Sequence, residues 1–105
     1  MIKKHFLLLF LLGLFYSISA IGQTQVSGKV IDENGNPIPY ANVLFPKTTI
    51  GGYTDDEGRF SLYSDKKQRT LEVSLIGFTT KKVHLEKDNT KNLVVVLTEG
   101  EQLSE

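Results

Sequence analysis

Three consecutive acids in "TDDEG", residues 54–58, are the residues best placed to do chemistry, because neighbouring carboxylates can enclose a calcium ion or share acid and base duties. A calcium loop needs oxygen ligands at its first, third and fifth positions, glycine at the sixth and a bidentate acid at the twelfth. With Gly58 at the sixth, Asp55 and Glu57 fall on the third and fifth, but Tyr53 takes the first and Ser64 the twelfth. "DENGNP" spaces Asp32, Asn34 and Asn36 correctly, yet Pro37 replaces the glycine and Val43 the closing acid. Both stretches therefore read as turns, and no metal ligand is assigned. Asp55 is expected to accept backbone amides two or three residues on, and Gly58 to take a positive φ before Arg59 and Phe60 enter a strand.

Hydrolytic chemistry is poorly supplied. Beyond His5 the chain has one histidine, His84, and it has no cysteine, so the usual zinc set cannot be assembled. His84 alternates with Val83 and Leu85 and is expected to face solvent on a strand, away from any serine nucleophile. Asp55, Asp56 and Glu57 could in principle cleave a glycosidic bond, but they sit in one turn with no cleft-forming element beside them. No glycine-rich phosphate loop opens a helix. The expectation is a non-enzyme with no catalytic residue, cofactor or metal. A carbohydrate-binding or adhesive surface module is the alternative from another class, resting on Tyr40, Tyr53, Tyr63 and Phe78 as exposed aromatics, although these are scattered over different runs.

The elements that would position these residues are strands. From Val26 onward the apolar residues alternate with period two, and Gly, Pro, Asn and Asp clusters separate the runs. "VSGKVID" sets Val26, Gly28 and Val30 on one face, and the Asn34-Gly35 pair follows as a hairpin or tight loop. "PYANVLF" turns Ala41, Val43 and Phe45 inward, with Pro39 at the strand entrance. "PKTTIGGYTDDEG" reads as a long irregular connection that turns back at Gly51-Gly52. Later runs place Phe60 and Leu62, then Leu71, Val73 and Leu75, then Val83 and Leu85, then Leu93, Val95 and Leu97 inward. Strands recurring about every 8 to 12 residues predict an all-β sandwich of about seven strands, without helices or repeats. The tail from residue 99 is polar and expected to be mobile.

The N-terminus is different in kind. Lys3 and Lys4 precede an apolar run from Phe6 to Tyr16, and Ser17, Ser19, Ala20 and Gly22 follow. That order matches a secretory signal peptide over residues 1–22, since about eleven apolar residues fall short of the roughly 20 a spanning helix needs. Cleavage after Gly22 would leave about 83 residues starting at Gln23, a single small domain over 23–98 followed by the tail. The absence of cysteine excludes a lipid-anchored lipoprotein and any disulfide framework, so the core must hold the fold. Ten basic residues would face twelve acidic ones, a balance that gives no footprint for nucleic acid.

Three ordered blocks, "VSGKVIDENGNPIPYANVLF", "GGYTDDEGRFSL" and "LEVSLIGF", resemble the carboxypeptidase regulatory-like domain, a prealbumin-like Greek-key β-sandwich, over about residues 24 to 98. The resemblance is carried by Gly28, Asp32, Gly35, Pro37, Ile38, Ala41 and Val43, by Thr54, Asp55, Gly58 and Phe60, and by Leu71, Val73, Ser74, Ile76 and Gly77. Phe78 stands where the family usually has tyrosine, and residues 46–50 lack its common glycine-threonine pair. The family implies no catalytic residues in this module. It implies an exported, periplasmic accessory domain, of the kind that extends TonB-dependent outer-membrane transporters at their N-terminus. The expected partner is such an envelope protein, reached through an exposed sheet edge, with the chain either free-standing or the front of a longer receptor.

Overall fold

The computed structural model describes residues 22–100, so the apolar N-terminal run lies outside the described residues. Seven strands are formed: β1 (Thr24–Asp32), β2 (Asn42–Leu44), β3 (Gly51–Tyr53), β4 (Arg59–Ser64), β5 (Thr70–Ser74), β6 (Lys81–His84) and β7 (Leu93–Leu97). They make two sheets, ordered β4-β1-β7 and β3-β2-β5-β6, the all-β sandwich that the alternation predicts.

β1 organises the first sheet. It pairs antiparallel with β4, Val26 opposite Leu62, and parallel with β7, Val30 opposite Val95. A β-carbon on Gly28 would run into the carbonyl and Cβ of Leu93, so the bare glycine is what lets β7 lie this close. After β1 the chain turns through Gly35, makes one bridge from Ile31 to Pro37, and crosses to the other sheet. There β5 is central, with Val73 opposite Val43 on one side and Leu71 opposite Val83 on the other.

The inward set is close to the one read from alternation. Val26, Val30, Val43, Leu71, Val73, Val95 and Leu97 are buried from strands, while Ile38, Ala41, Phe45 and Leu85 reach the core from the connections. Burial of such side chains is worth about 1.5–3 kcal/mol each before chain entropy is subtracted, and it is the main force available without cysteine. Leu75, Val83 and Leu93 are only partly buried, at the margins of the core.

Several expectations need correction. Gly51-Gly52 is not a turn. Neither glycine has a positive φ, and both belong to β3, which pairs with β2 as Leu44 to Gly51 and Val43 to Gly52. Three residues with two glycines carry no alternation to read, and the pairing comes from the β2 backbone opposite them. The second run is also shorter than its apolar pattern: Pro39 and Tyr40 form a turn, Tyr40 has φ 63°, and Phe45 is fully buried just past the strand. Phe78 is not an exposed aromatic but half-buried against the core. Of the expected tail, residues 101–105 lie outside the described residues, while 99 and 100 are paired. Glu99 bridges to Phe78, and the Gly100 amide donates to the Gly77 carbonyl at 3.0 Å.

Strand directions sort the connections to two ends. Segments 33–41, 54–58 and 75–80, and the chain's passage through Gly100, lie at one end. Segments 45–50, 65–69 and 85–92 lie at the other, with the start of β1.

Candidate functional site

The acids singled out in the sequence meet at the first of these ends, in two loops of the same design. Asp32 Oδ1 accepts the amides of Asn34 and Asn36, each at 2.9 Å. Asp55 Oδ1 accepts those of Glu57 and Arg59, also at 2.9 Å. In each loop the glycine three residues on has a positive φ, 88° at Gly35 and 78° at Gly58, and its amide donates back to the aspartate carbonyl. The aspartate amide in turn donates to the carbonyl four residues on. This is the three-residue hairpin loop with a left-handed glycine, and Asp-x-x-Gly is its sequence signal.

The three adjacent acids take three different partners. Asp55 holds its own loop, Asp56 Oδ1 accepts the Tyr40 hydroxyl at 2.8 Å, and Glu57 pairs with Arg59 at 3.2 Å. Their carboxylates are thus spent on an amide pair, a phenol and a guanidinium. The backbone amide of Arg59, above all, holds the Asp55 carboxyl below its usual range; partial desolvation opposes this, and the Glu57 amide and Arg59 charge add to it. The hydrogen bond to Asp56 and the carboxylate's charge raise the Tyr40 hydroxyl, since both favour the protonated phenol. Among the described residues no group of three or more His, Cys, Asp or Glu side chains is arranged to hold a metal ion.

Between the loops sits Thr54, a residue the sequence reading left without a role. It is buried, and its Oγ1 accepts the Ala41 amide at 2.9 Å while donating to the Ile38 carbonyl at 2.7 Å. Backbone bonds run both ways beside it, Tyr40 N–H to the Thr54 carbonyl and Thr54 N–H to the Ala41 carbonyl. The clamp fixes the Ile38–Ala41 turn and stabilises the left-handed Tyr40, which presents its ring to solvent. Only the fold brings positions sixteen residues apart into this bond.

The remaining aromatics do not join Tyr40. Tyr53 pairs with Asn42 in one sheet and Tyr63 with Gln25 in the other, both exposed, so the tyrosines share no platform. His84 lies opposite Thr70 at the outer edge of the second sheet and is exposed, as its alternation predicts. Large apolar side chains do reach solvent elsewhere: Val94 and Val96 on the outer face of edge strand β7, and Ile76, 97% exposed, at the tip of the 75–80 loop.

At this end of the sandwich the aspartates and Thr54 hold the loops in shape. Residues 26–105 match the family model described as CarboxypepD_reg-like domain. A TonB-dependent receptor of Formosa agariphila is 32% identical over 108 residues, 92% of this chain and 10% of that protein. The TonB-dependent receptor SusC of Bacteroides thetaiotaomicron is 42% identical over 73 residues, 69% of this chain and 7% of that protein. The chain therefore spans a tenth or less of the length of the curated relatives it matches. A solved type II cohesin-X-dockerin complex from Acetivibrio cellulolyticus superposes with a TM-score of 0.56 at 20% identity, over 73% of this chain and 58% of that one, a likeness of fold alone. On the family match over most of its length, and on homology to TonB-dependent receptors, the chain belongs to the carboxypeptidase-regulatory-like domain family.

Proposed function

We propose that this chain is an exported, non-catalytic β-sandwich module of the cell envelope, working on the periplasmic side as part of, or bound to, a TonB-dependent outer-membrane transporter. The observation that carries the reading is the 42% identity to SusC across 73 residues of the sandwich. The chemistry of the described surface supports it: Asp32 and Asp55 hold backbone amides, Asp56 a phenol and Glu57 a guanidinium.

Contact with the transporter would run through the free sheet edges. β7 and β4 bound one sheet, β3 and β6 the other. β7 is the best equipped, because its outward Val94 and Val96 add apolar area to unpaired backbone groups. The N-terminal run delivers the chain to the periplasm, with cleavage after Gly22 and Gln23 as the mature N-terminus.

The test is to express the tagged chain in a bacterium with its own TonB-dependent transporters, separate the envelope fractions, and crosslink before solubilising. Recovery of a chain starting at Gln23 in the periplasmic or outer-membrane fraction, crosslinked to a transporter, is expected. A chain that keeps residues 1–20 and stays in the cytosol would overturn the export claim, and an exported chain crosslinked to no transporter would overturn the partner.

A further inference from the structure

The end opposite the acidic loops carries the reverse charge. Lys47 from the 45–50 segment, Arg69 from the 65–69 segment and Lys82 of β6 line one crevice of about 300 Å³, with Pro46, Gln68 and Thr70 completing its wall. All three cations are exposed, and among the described residues the single ion pair within 4.0 Å is that of Glu57 with Arg59, at the far end of the molecule. Glu72 lies opposite Lys82 in the strand register, yet the two do not close to ion-pair distance.

The crevice is held by rigid parts. Lys47 sits in a left-handed backbone, φ 65°, which an ordinary side chain adopts at a cost. A tight loop enforces it: the Thr48 hydroxyl donates to the Phe45 carbonyl at 2.7 Å, and the Ile50 amide donates to Thr48 Oγ1 at 3.0 Å. On the other wall the Gln68 amide donates to Thr24 Oγ1 at 2.9 Å, which ties the 65–69 segment to the start of β1. Three like charges brought together from three elements repel one another unless an anion joins them. Lys66, Lys67, Lys87 and Lys91 stand on segments of the same end, against Asp65, Glu86 and Asp88, so the positive field extends past the crevice.

We infer that this basic end rests on an anionic phospholipid surface, with Lys47, Arg69 and Lys82 receiving a headgroup phosphate. A membrane fits better than a small free anion because the cations form a broad end of the molecule around an open crevice, and lysine and arginine near an anionic surface add affinity residue by residue. The inference draws on the envelope reading only for a membrane being within reach. Vesicle binding can fail with the module still exported, and export can fail with binding intact, so the two outcomes are separable.

The experiment is co-sedimentation with vesicles of equal parts phosphatidylcholine and phosphatidylglycerol, and with vesicles of phosphatidylcholine alone. It is run with the full chain and with residues 23–105, which retain every buried core residue between Val26 and Leu97. Binding of residues 23–105 to the anionic vesicles only, weakened by added salt, is expected. At about fivefold per cation, Lys47→Gln, Arg69→Gln and Lys82→Gln together should weaken it roughly a hundredfold. Lys29→Gln with Lys81→Gln, which removes charge away from the crevice, should weaken it much less. If the triple variant has a lowered denaturation midpoint, Lys82→Gln alone and the salt dependence of the unaltered chain carry the test. Equal binding to both vesicles, or binding that survives the triple substitution in a folded protein, would overturn the inference. So would saturable binding of inorganic phosphate by a chain that ignores anionic vesicles.

Discussion

Replacing Gly58 with alanine should do far more damage than replacing Gly35, although both glycines close loops of the same design. Each has a left-handed φ, 78° and 88°, and forcing an L-residue there costs about 1–2 kcal/mol. At Gly35 that is the whole effect, since an added Cβ meets nothing within 4 Å. At Gly58 the same atom would stand 2.6 Å from the Val30 carbonyl oxygen, 3.1 Å from Pro37 Cβ and 3.2 Å from the Ile38 amide nitrogen. Those atoms cannot step aside cheaply. The Val30 carbonyl accepts the Ile38 amide at 2.9 Å, and the Val30 amide donates to the Gly58 carbonyl at 2.7 Å, so any retreat stretches the bonds that join the two loops. Overpacking of this kind adds roughly 1–3 kcal/mol, which brings Gly58→Ala to about 2–5 kcal/mol. A domain of this length has only about 4–12 kcal/mol in total. Urea unfolding with matched slopes is the assay, and a slope near 1 kcal/mol/M makes the difference between the variants about one molar or more in midpoint. Equal midpoint shifts for the two variants would refute the argument, because they would show that φ alone decides and that the contact with Val30 costs nothing.

Four further outcomes follow from the geometry. Thr54→Val strands a buried amide and carbonyl at Ala41 and Ile38 and should cost roughly 2–4 kcal/mol, read as a fall in denaturation midpoint; a neutral result would mean water replaces the hydroxyl. Val73→Ala, fully buried opposite Val43, should cost about 1–3 kcal/mol, and an unchanged midpoint would place Val73 on the solvent face. Asp55 is held ionised below the usual carboxylate pKa by the Arg59 amide first of all, so its contribution is present above the unfolded-state value and lost as pH falls through the lower folded one. Asp55→Asn should therefore remove that acid-side loss from a melting-temperature profile. The same profile should be indifferent to millimolar calcium, because the three acids already hold amides, a phenol and a guanidinium; an ion bound at a hundred times its Kd would add about 2.7 kcal/mol, and a calcium-dependent rise absent from Asp55→Asn would make the acids a metal site.

Local pattern along the chain is enough for the class of fold, most of the core and the turn geometry of the acidic stretch. Period-two alternation is a local property, so Val26 with Val30 and Leu71 with Val73 could be placed on one face without knowing their neighbours. The Asp-x-x-Gly loops are local as well, because the aspartate bonds amides within four residues of itself. Whatever depends on partners distant along the chain was settled only by folding. β3 exists as a strand because β2 offers its backbone to a Gly-Gly pair that has no pattern of its own. The parallel pairing of β1 with β7 joins residues some sixty-five positions apart, and Gly28 is required there by Leu93 rather than by any turn. Thr54 acquires its role from Ile38 and Ala41, and Lys47, Arg69 and Lys82 become one feature only when three elements meet at the same end. Alternation specifies which way a side chain points. It carries no information on which strand lies beside it, because backbone hydrogen bonds are the same for every residue, and that choice is made by how the two inward faces pack.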